Sequence, residues 1–399
     1  MLRHLFTLIW NRKRANALLI AEIFFAFVVL FVLGSLLVDS YRRYTMPLGY
    51  QYEQVWYVAM DPGNEPAARQ DATFLRVIRS LKALPGVRSV STTLYNTPFS
   101  FSDSSGDIKV NGRNANCDRY AGGDDMADVL QLQLAEGRWF DRRDDAATRK
   151  PVVISSETRA ALFPAGPALG QIITSTNTTD GEMQVVGVLA TTYRSRGEFQ
   201  KPKPAYFRRS QPLLADADTT HLDKPLLLVR VQPTATAELE QRMTKEIAAV
   251  SGGWKAAVTT LPEERTIRMK FALAPMGAMG LVGLFLIINV ALGLFGVLWQ
   301  TINQRRAEIG VRRAMGATAG RISAQILGET LVVTTFGLGL GLVVAAQFPL
   351  LGVMDMKTGV YLTAMLLATG LIYALTTLCA LYPSRLAAGI HPAVALREE

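Results

Sequence analysis

The chain has 399 residues, of which 49% are hydrophobic and 19% charged, with a formal net charge of +9. Apolar content above and charge below the globular norm argue against an ordinary soluble protein. Between Asp39 and Lys270 cations and anions nearly balance, while elsewhere cations outnumber anions two to one. An excess confined to segments flanking apolar runs is a membrane-topology pattern and excludes a nucleic-acid-binding face.

Taken in chain order, Leu2, Leu5, Phe6 and Ile9 share one helical face, with Trp10 beside them, and predict an amphipathic interfacial helix over residues 1–14. An apolar run over 15–38 is long enough to cross a bilayer, which takes about 20 residues, and too long for a cleavable signal. Residues 39–270 read as one extracytoplasmic domain. Near its start a strand at 54–60, a helix at 69–84 ended by Pro85-Gly86, and a strand at 87–94 follow one another. Near its end the order recurs: a strand at 226–231, a helix at 236–250 ended by Gly252-Gly253, and a strand at 254–261. The two units bracket a smaller β-rich subdomain, about 98–222, with strands at 152–155 and 184–189 and a short one at Ile172-Ile173 before a turn-prone Asn177–Gly181.

Three further spans are expected, at 271–299, 322–348 and 359–382, the last stopped by Pro383, with a short periplasmic loop at 349–358. Arg3, Arg12, Lys13 and Arg14 precede the first span; Arg305, Arg306, Arg312, Arg313 and Arg321 lie in the 300–321 loop; Arg385 and Arg397 fall in the 383–399 tail. Cytoplasmic loops collect such residues, so both termini and the 300–321 loop are expected in the cytoplasm of a bacterial inner membrane. The expected fold is an α-helical membrane protein with four transmembrane helices plus an α+β extracytoplasmic domain, two βαβ units flanking the β-rich subdomain.

Few residues suggest chemistry. Cys117 and Cys379 lie in the soluble part and an apolar run, so no disulfide framework is expected, and the histidines His4, His221 and His391 lack ligand spacing. Ser155-Ser156 and His221 form no nucleophile–base pattern. Glu22 and Glu329 sit within spans, where a carboxylate must pair, protonate or reach the interface; Arg14 and Arg321, two turns before them, are the expected neighbours. Asn289 is expected to hydrogen-bond across helices, and Gly337, Gly339 and Gly341 to give the third span a face for close packing.

The loop Gln304-Arg305-Arg306-Ala307-Glu308-Ile309-Gly310-Val311-Arg312-Arg313-Ala314-Met315-Gly316-Ala317-Thr318 resembles the R-x-x-E-I-G-x-x-R-A-x-G-A loop of MacB/FtsX-like ABC transporter permeases. The closing stretch from Pro383-Ser384-Arg385 to Pro392-Ala393-Val394-Ala395-Leu396-Arg397 is similar to that family's last segment. Glu136-Gly137-Arg138-Trp139-Phe140, Pro151-Val152-Val153-Ile154-Ser155 and Val185-Val186-Gly187-Val188 resemble its periplasmic core domain. The resemblance implies a dimeric permease, homo- or heteromeric, driven by a cytoplasmic ABC ATPase. The 300–321 loop would be the coupling segment, with Glu308, Ile309, Arg312, Arg313 and Met315 as contacts. A periplasmic adaptor and an outer-membrane protein are further expected partners. No G-x-x-x-x-G-K-[ST] motif is present to cradle nucleotide phosphates, so the chain is expected to be non-catalytic and without cofactor, the ATP bound by a separate subunit. Export or extraction of extracytoplasmic substrates is the leading expectation; a non-transporting signalling scaffold acting on a periplasmic partner is the alternative.

Overall fold

The computed structural model describes residues 13–176, 180–210 and 226–388. The expected helix at 1–14 falls almost entirely outside them, as do His4, His221, His391 and most of the closing motif. The described chain forms two compact units, residues 43–272 and the segments either side.

In the large unit, β1 (Val55–Asp61), α2 (Ala67–Ala83) and β2 (Val87–Tyr95) form the first unit of the repeat. Strand β10 (Leu226–Val231), α5 (Ala237–Ser251) and β11 (Lys255–Thr260) form the second. The four strands pair antiparallel in the order β11-β1-β10-β2, so the two units interleave in a ferredoxin-like β-α-β-β-α-β arrangement. Alternation sets the faces. Trp56, Val58 and Met60 point with Leu227, Val229 and Val231 toward Phe74, Val77 and Leu81 of α2 and Leu239, Met243 and Ile247 of α5. Helix α5 is capped by Gly252 at φ +75°, whereas α2 ends at an extended Leu84, with Gly86 at φ +102° in the turn that follows.

The subdomain between β2 and β10 carries β3 (Ser105–Val110), β4 (Arg113–Gly122), the short α3 (Met126–Leu130), β5 (Leu134–Gly137), β6 (Lys150–Ile154), α4 (Ser156–Leu162), β7 (Ile172–Ser175), β8 (Glu182–Leu189) and β9 (Ala205–Arg209). It is joined to the first sheet through β2 and β4, giving one eleven-stranded sheet. Gly137 explains part of the Glu136–Phe140 stretch: β5 crosses β8 so closely that a Cβ there would strike the Val186 carbonyl.

This subdomain buries charge. Asp180 accepts from Tyr206 Oη at 2.7 Å and lies 3.3 Å from Arg208 Nε and 3.5 Å from Arg119 Nη1, all four residues at most 5% exposed. The Arg119 guanidinium lies 3.8 Å from the Tyr95 ring centroid, and Arg208 donates to Tyr95 Oη at 3.0 Å. Two guanidinium groups thus share one carboxylate and one aromatic ring. Burial raises the Tyr206 phenol far above its usual range, so it stays a proton donor to Asp180.

The smaller unit contains α1 (Lys13–Tyr44), α6 (Leu261–Gln304), α7 (Arg306–Ala314), α8 (Ala319–Leu351) and α9 (Thr358–Ala388). Helices α1 and α6 each run on into the large unit. The four long ones are apolar and long enough to cross a membrane, and each contains one expected span. Two boundaries differ from expectation. Helix α6 begins about ten residues early, because Thr260 and Glu263 cap it reciprocally: Glu263 N–H donates to Thr260 Oγ1 at 3.2 Å, and Thr260 N–H to Glu263 Oε2 at 3.0 Å. Helix α9 runs through Pro383 instead of stopping; Ser384 Oγ donates to the Leu381 carbonyl at 3.0 Å and accepts from Ser323 at 2.9 Å, holding the continuing turn against α8.

Among the small residues of α8, Gly337 lies against Ile23 and the Ile20 carbonyl of α1, and Gly341 against Phe27, whereas Gly339 meets no neighbour among the described residues. Phe27 and Phe31 continue that seam toward Phe348 and Tyr361.

Replacing Gly341 with leucine should therefore separate α1 from α8 at a cost of about 1–3 kcal/mol. The expected readout is a lower melting temperature in detergent and weaker cross-linking between cysteines placed at the α1–α8 seam; the same change at Gly339 should leave both unaltered. In the large unit, Asp180→Ala strands two buried guanidinium groups and should cost about 3–5 kcal/mol. Chemical denaturation of the full chain, followed by tryptophan fluorescence, measures that loss.

Candidate coupling interface

Helix α7 arises where α6 breaks. Arg305 leaves helical geometry at φ −105° and ψ 10°, and α7 restarts at Arg306. At the other end Gly316 takes φ +93°, and Thr318 caps α8 by accepting from Arg321 N–H at 3.4 Å. The result is a nine-residue helix between two spans.

Its inward side is Ile309, which packs with Ile302 of α6 and Ile322 of α8, and with the partly buried Ala317 and Ile326. The expected role of Ile309 as a contact residue is therefore corrected: at 5% exposure it anchors α7 to its own chain. The outward side is a stripe of Ala307, Val311, Ala314 and Met315, spaced three or four residues apart, with Met315 75% exposed and Val311 43%.

A connected set of polar contacts fixes the orientation of α7. Glu308 Oε1 accepts from Arg312 Nη2 at 2.6 Å, and Arg312 Nη1 donates to Gln325 Oε1 at 2.9 Å. Gln325 Nε2 donates to Glu329 Oε1 at 3.0 Å, and Glu329 Oε2 accepts from Arg305 Nη1 at 2.6 Å. The Arg305–Glu329 pair is the sheltered end, with side chains 14% and 20% exposed. The partner of Glu329 is thus Arg305 and not Arg321, which is exposed on the first turn of α8. Arg312 and Glu308 spend their hydrogen bonds within the chain, holding α7 as a rigid unit; Arg313 is half-buried beside them. The sequence reading missed Arg305, Gln325, Ile302 and Ile322. Gln325 and Glu329, four residues apart, are the one local signal that a polar stripe runs into α8.

The remaining intramembrane candidates do not join this group. Glu22 lies against α6 at Gly293, where a Cβ would collide with its carboxylate, and among the described residues it has no cationic partner. Asn289 donates to Phe285 of its own helix at 2.8 Å instead of reaching across to another. Ser155 is an N-cap, accepting from Thr158 N–H at 3.3 Å and from Ala205 N–H at 3.1 Å, which is a structural role.

The model of the MacB-like periplasmic core domain matches residues 17–246, and that of the FtsX-like permease C-terminal region matches 280–392, the latter including α7. The chain belongs to the MacB/FtsX-like ABC transporter permease family. It is 27% identical over 274 residues to the macrolide export ATP-binding/permease protein MacB 1/2 of Paracoccus denitrificans (strain Pd 1222), covering 68% of this chain and 39% of that protein. To the uncharacterized ABC transporter permease YknZ of Bacillus subtilis (strain 168) it is 25% identical over 375 residues, covering 87% of this chain and 85% of that one. The chain thus spans about two fifths of the first relative and most of the second. A crystal structure of the periplasmic region of MacB from Actinobacillus actinomycetemcomitans aligns at TM-score 0.38 and 15% identity over 56% of this chain and 94% of that one.

If the polar contacts orient α7, then Arg305→Ala should free it without unfolding the spans. A spin label at position 315 should become more mobile, and the swap Arg305→Glu with Glu329→Arg should restore the immobile spectrum. Removing Arg321 should change nothing.

Proposed function

We propose that this chain is a permease subunit whose α7 helix docks on a cytoplasmic ABC ATPase and passes nucleotide-driven motion to the large domain, for export or extraction of substrates outside the cytoplasm. The observation that carries this reading is the exposed apolar stripe of α7 on a helix whose opposite side is clamped to α6 and α8. A solvated topogenic loop needs cations alone. It does not need a rigid nine-residue helix that presents Val311 and Met315 outward and fixes Arg312 from behind. Short amphipathic helices of this kind seat in apolar grooves of a partner, with charges setting register.

Transmission has a material basis in α6. The helix is covalently continuous from Leu261 to Gln304, ~66 Å at 1.5 Å per residue. Its C-terminal end adjoins α7, and its N-terminal end is capped directly onto β11, an edge strand of the large domain. Pro275 removes one rung of the helical ladder, giving α6 a defined place to bend. On this reading the arginine-rich loop and both termini lie on the cytoplasmic side of the inner membrane, which the distribution of cations favours. A second protomer completes the transporter, and the large domain works in the periplasm with an adaptor and an outer-membrane protein.

The decisive substitution is Val311→Asp with Met315→Asp, which spoils the stripe and leaves every internal contact of α7 in place. Co-purification of an ATPase subunit and chain-stimulated ATP turnover should fall tenfold or more, equivalent to at least ~1.4 kcal/mol of docking energy, with membrane insertion unchanged. Undiminished ATPase binding would remove α7 as the docking element.

A further inference from the structure

A second site lies on the large domain at the charged N-terminal turns of α6. A groove of about 590 Å³ is lined by Arg196, Phe199, Lys201, Lys203, Arg268 and Phe271, with no carboxylate among its lining residues. The cations are unevenly neutralised. Asp118, buried behind the groove, accepts from Arg196 at 3.1 Å and from Lys203 at 2.6 Å, and Asp103 accepts from Arg196 at 2.9 Å. Arg268 has no such relief. Its Nε donates to the Arg196 carbonyl at 3.1 Å, its guanidinium lies 4.4 Å from the Phe101 ring centroid, and among the described residues it makes no ion pair. Burial, and then the neighbouring Arg196, push its pKa down.

Aromatic rings in and beside the groove suit the edge of a bilayer. Phe101 and Phe271 meet edge to face at 5.1 Å and are 57% and 64% exposed. Phe199 stacks on Tyr44, the last residue of α1, at 5.9 Å. Lys270 is the last charged residue before an uncharged run reaching Gln304, so Phe271 stands at the border between water and hydrocarbon. A guanidinium without an ion pair, Arg268, beside exposed aromatic rings at that depth matches an amphiphile with an anionic head.

We propose that this groove binds the phosphate headgroup of an anionic phospholipid, with the phosphate at Arg268 and the start of its acyl chains beside Phe101 and Phe271. The site is independent of whether α7 docks on an ATPase.

The test uses the full chain in phosphatidylcholine nanodiscs containing about one tenth photoactivatable phosphatidylglycerol, with a photoactivatable phosphatidylcholine at the same fraction as reference. Adducts on peptides covering 196–203 and 268–271 should favour the phosphatidylglycerol probe by about fivefold, which is ~1 kcal/mol for a cation near a charged lipid. Arg268→Gln should erase that preference. Lys109→Gln, which removes the same charge from an exposed strand position, should preserve it. Equal labelling by both probes, or an unchanged preference in Arg268→Gln with its melting temperature intact, overturns the proposal. Loss of the preference on adding inorganic phosphate would show a site for free anions and overturn the assignment to lipid.

Discussion

The smaller unit depends on where the charge of Glu329 goes. A carboxylate about three turns into α8 is too deep to be hydrated cheaply and too shallow to be sealed in the apolar core. Arg305 meets it because α6 ends one residue earlier and the chain turns back, bringing the guanidinium alongside α8. The ion pair therefore fixes both the break between α6 and α7 and the side from which α7 approaches. Gln325 and Arg312 extend the same restraint outward, and Ile302, Ile309 and Ile322 fill the space beneath. The polar contacts are directional and the apolar ones are not, so orientation rests on the former and most of the binding energy on the latter.

At the opposite end of α6 the constraint is the cap. Thr260 belongs to β11 and also accepts the N–H of Glu263, one of the orphan donors in the first turn of the helix. No flexible linker intervenes between the sheet and the helix. The stretch 262–270, left between the expected strand and the expected span, is thereby drawn into α6, with Arg265 paired to Glu198 and Arg268 laid over Phe101.

The architecture was legible wherever a pattern was local. Four apolar runs and two strand–helix–strand units need only periodicity and breakers; the strands and helices of the two units fall within two residues of those positions, while the long helices extend beyond the apolar runs they contain. The inserted subdomain was only partly legible. Strands β4 and β9 lack the clean alternation of β1, because their buried sides carry Asp118, Arg119 and Arg208, polar residues satisfied by partners far along the chain. The start of α6 could have been read from its Thr-x-x-Glu capping pattern. The break at Pro383 was over-read: the helix continues past it, and Ser384 ties the turn back to the Leu381 carbonyl and to Ser323 of α8. Asn289 shows a similar limit: its chemistry is plain from sequence, but whether it bonds its own helix or another is decided by the rotation of α6.

The loop itself shows why a motif alone does not assign contacts. Ile309 and Val311 are two residues apart and equally apolar, yet the helix turns them to nearly opposite sides, one toward α6 and α8 and the other toward solvent. Glu308 and Arg312, four apart, satisfy each other before either can meet a partner. What α7 offers to another molecule is therefore narrower than its sequence suggests: an apolar stripe centred on Val311 and Met315, rimmed by charges already oriented. Such a surface loses little side-chain freedom on docking, because the ion pairs that would otherwise have to form at the interface exist before the partner arrives. On the proposed reading, that preorganisation, more than the area of one short helix, is what would suit α7 to docking.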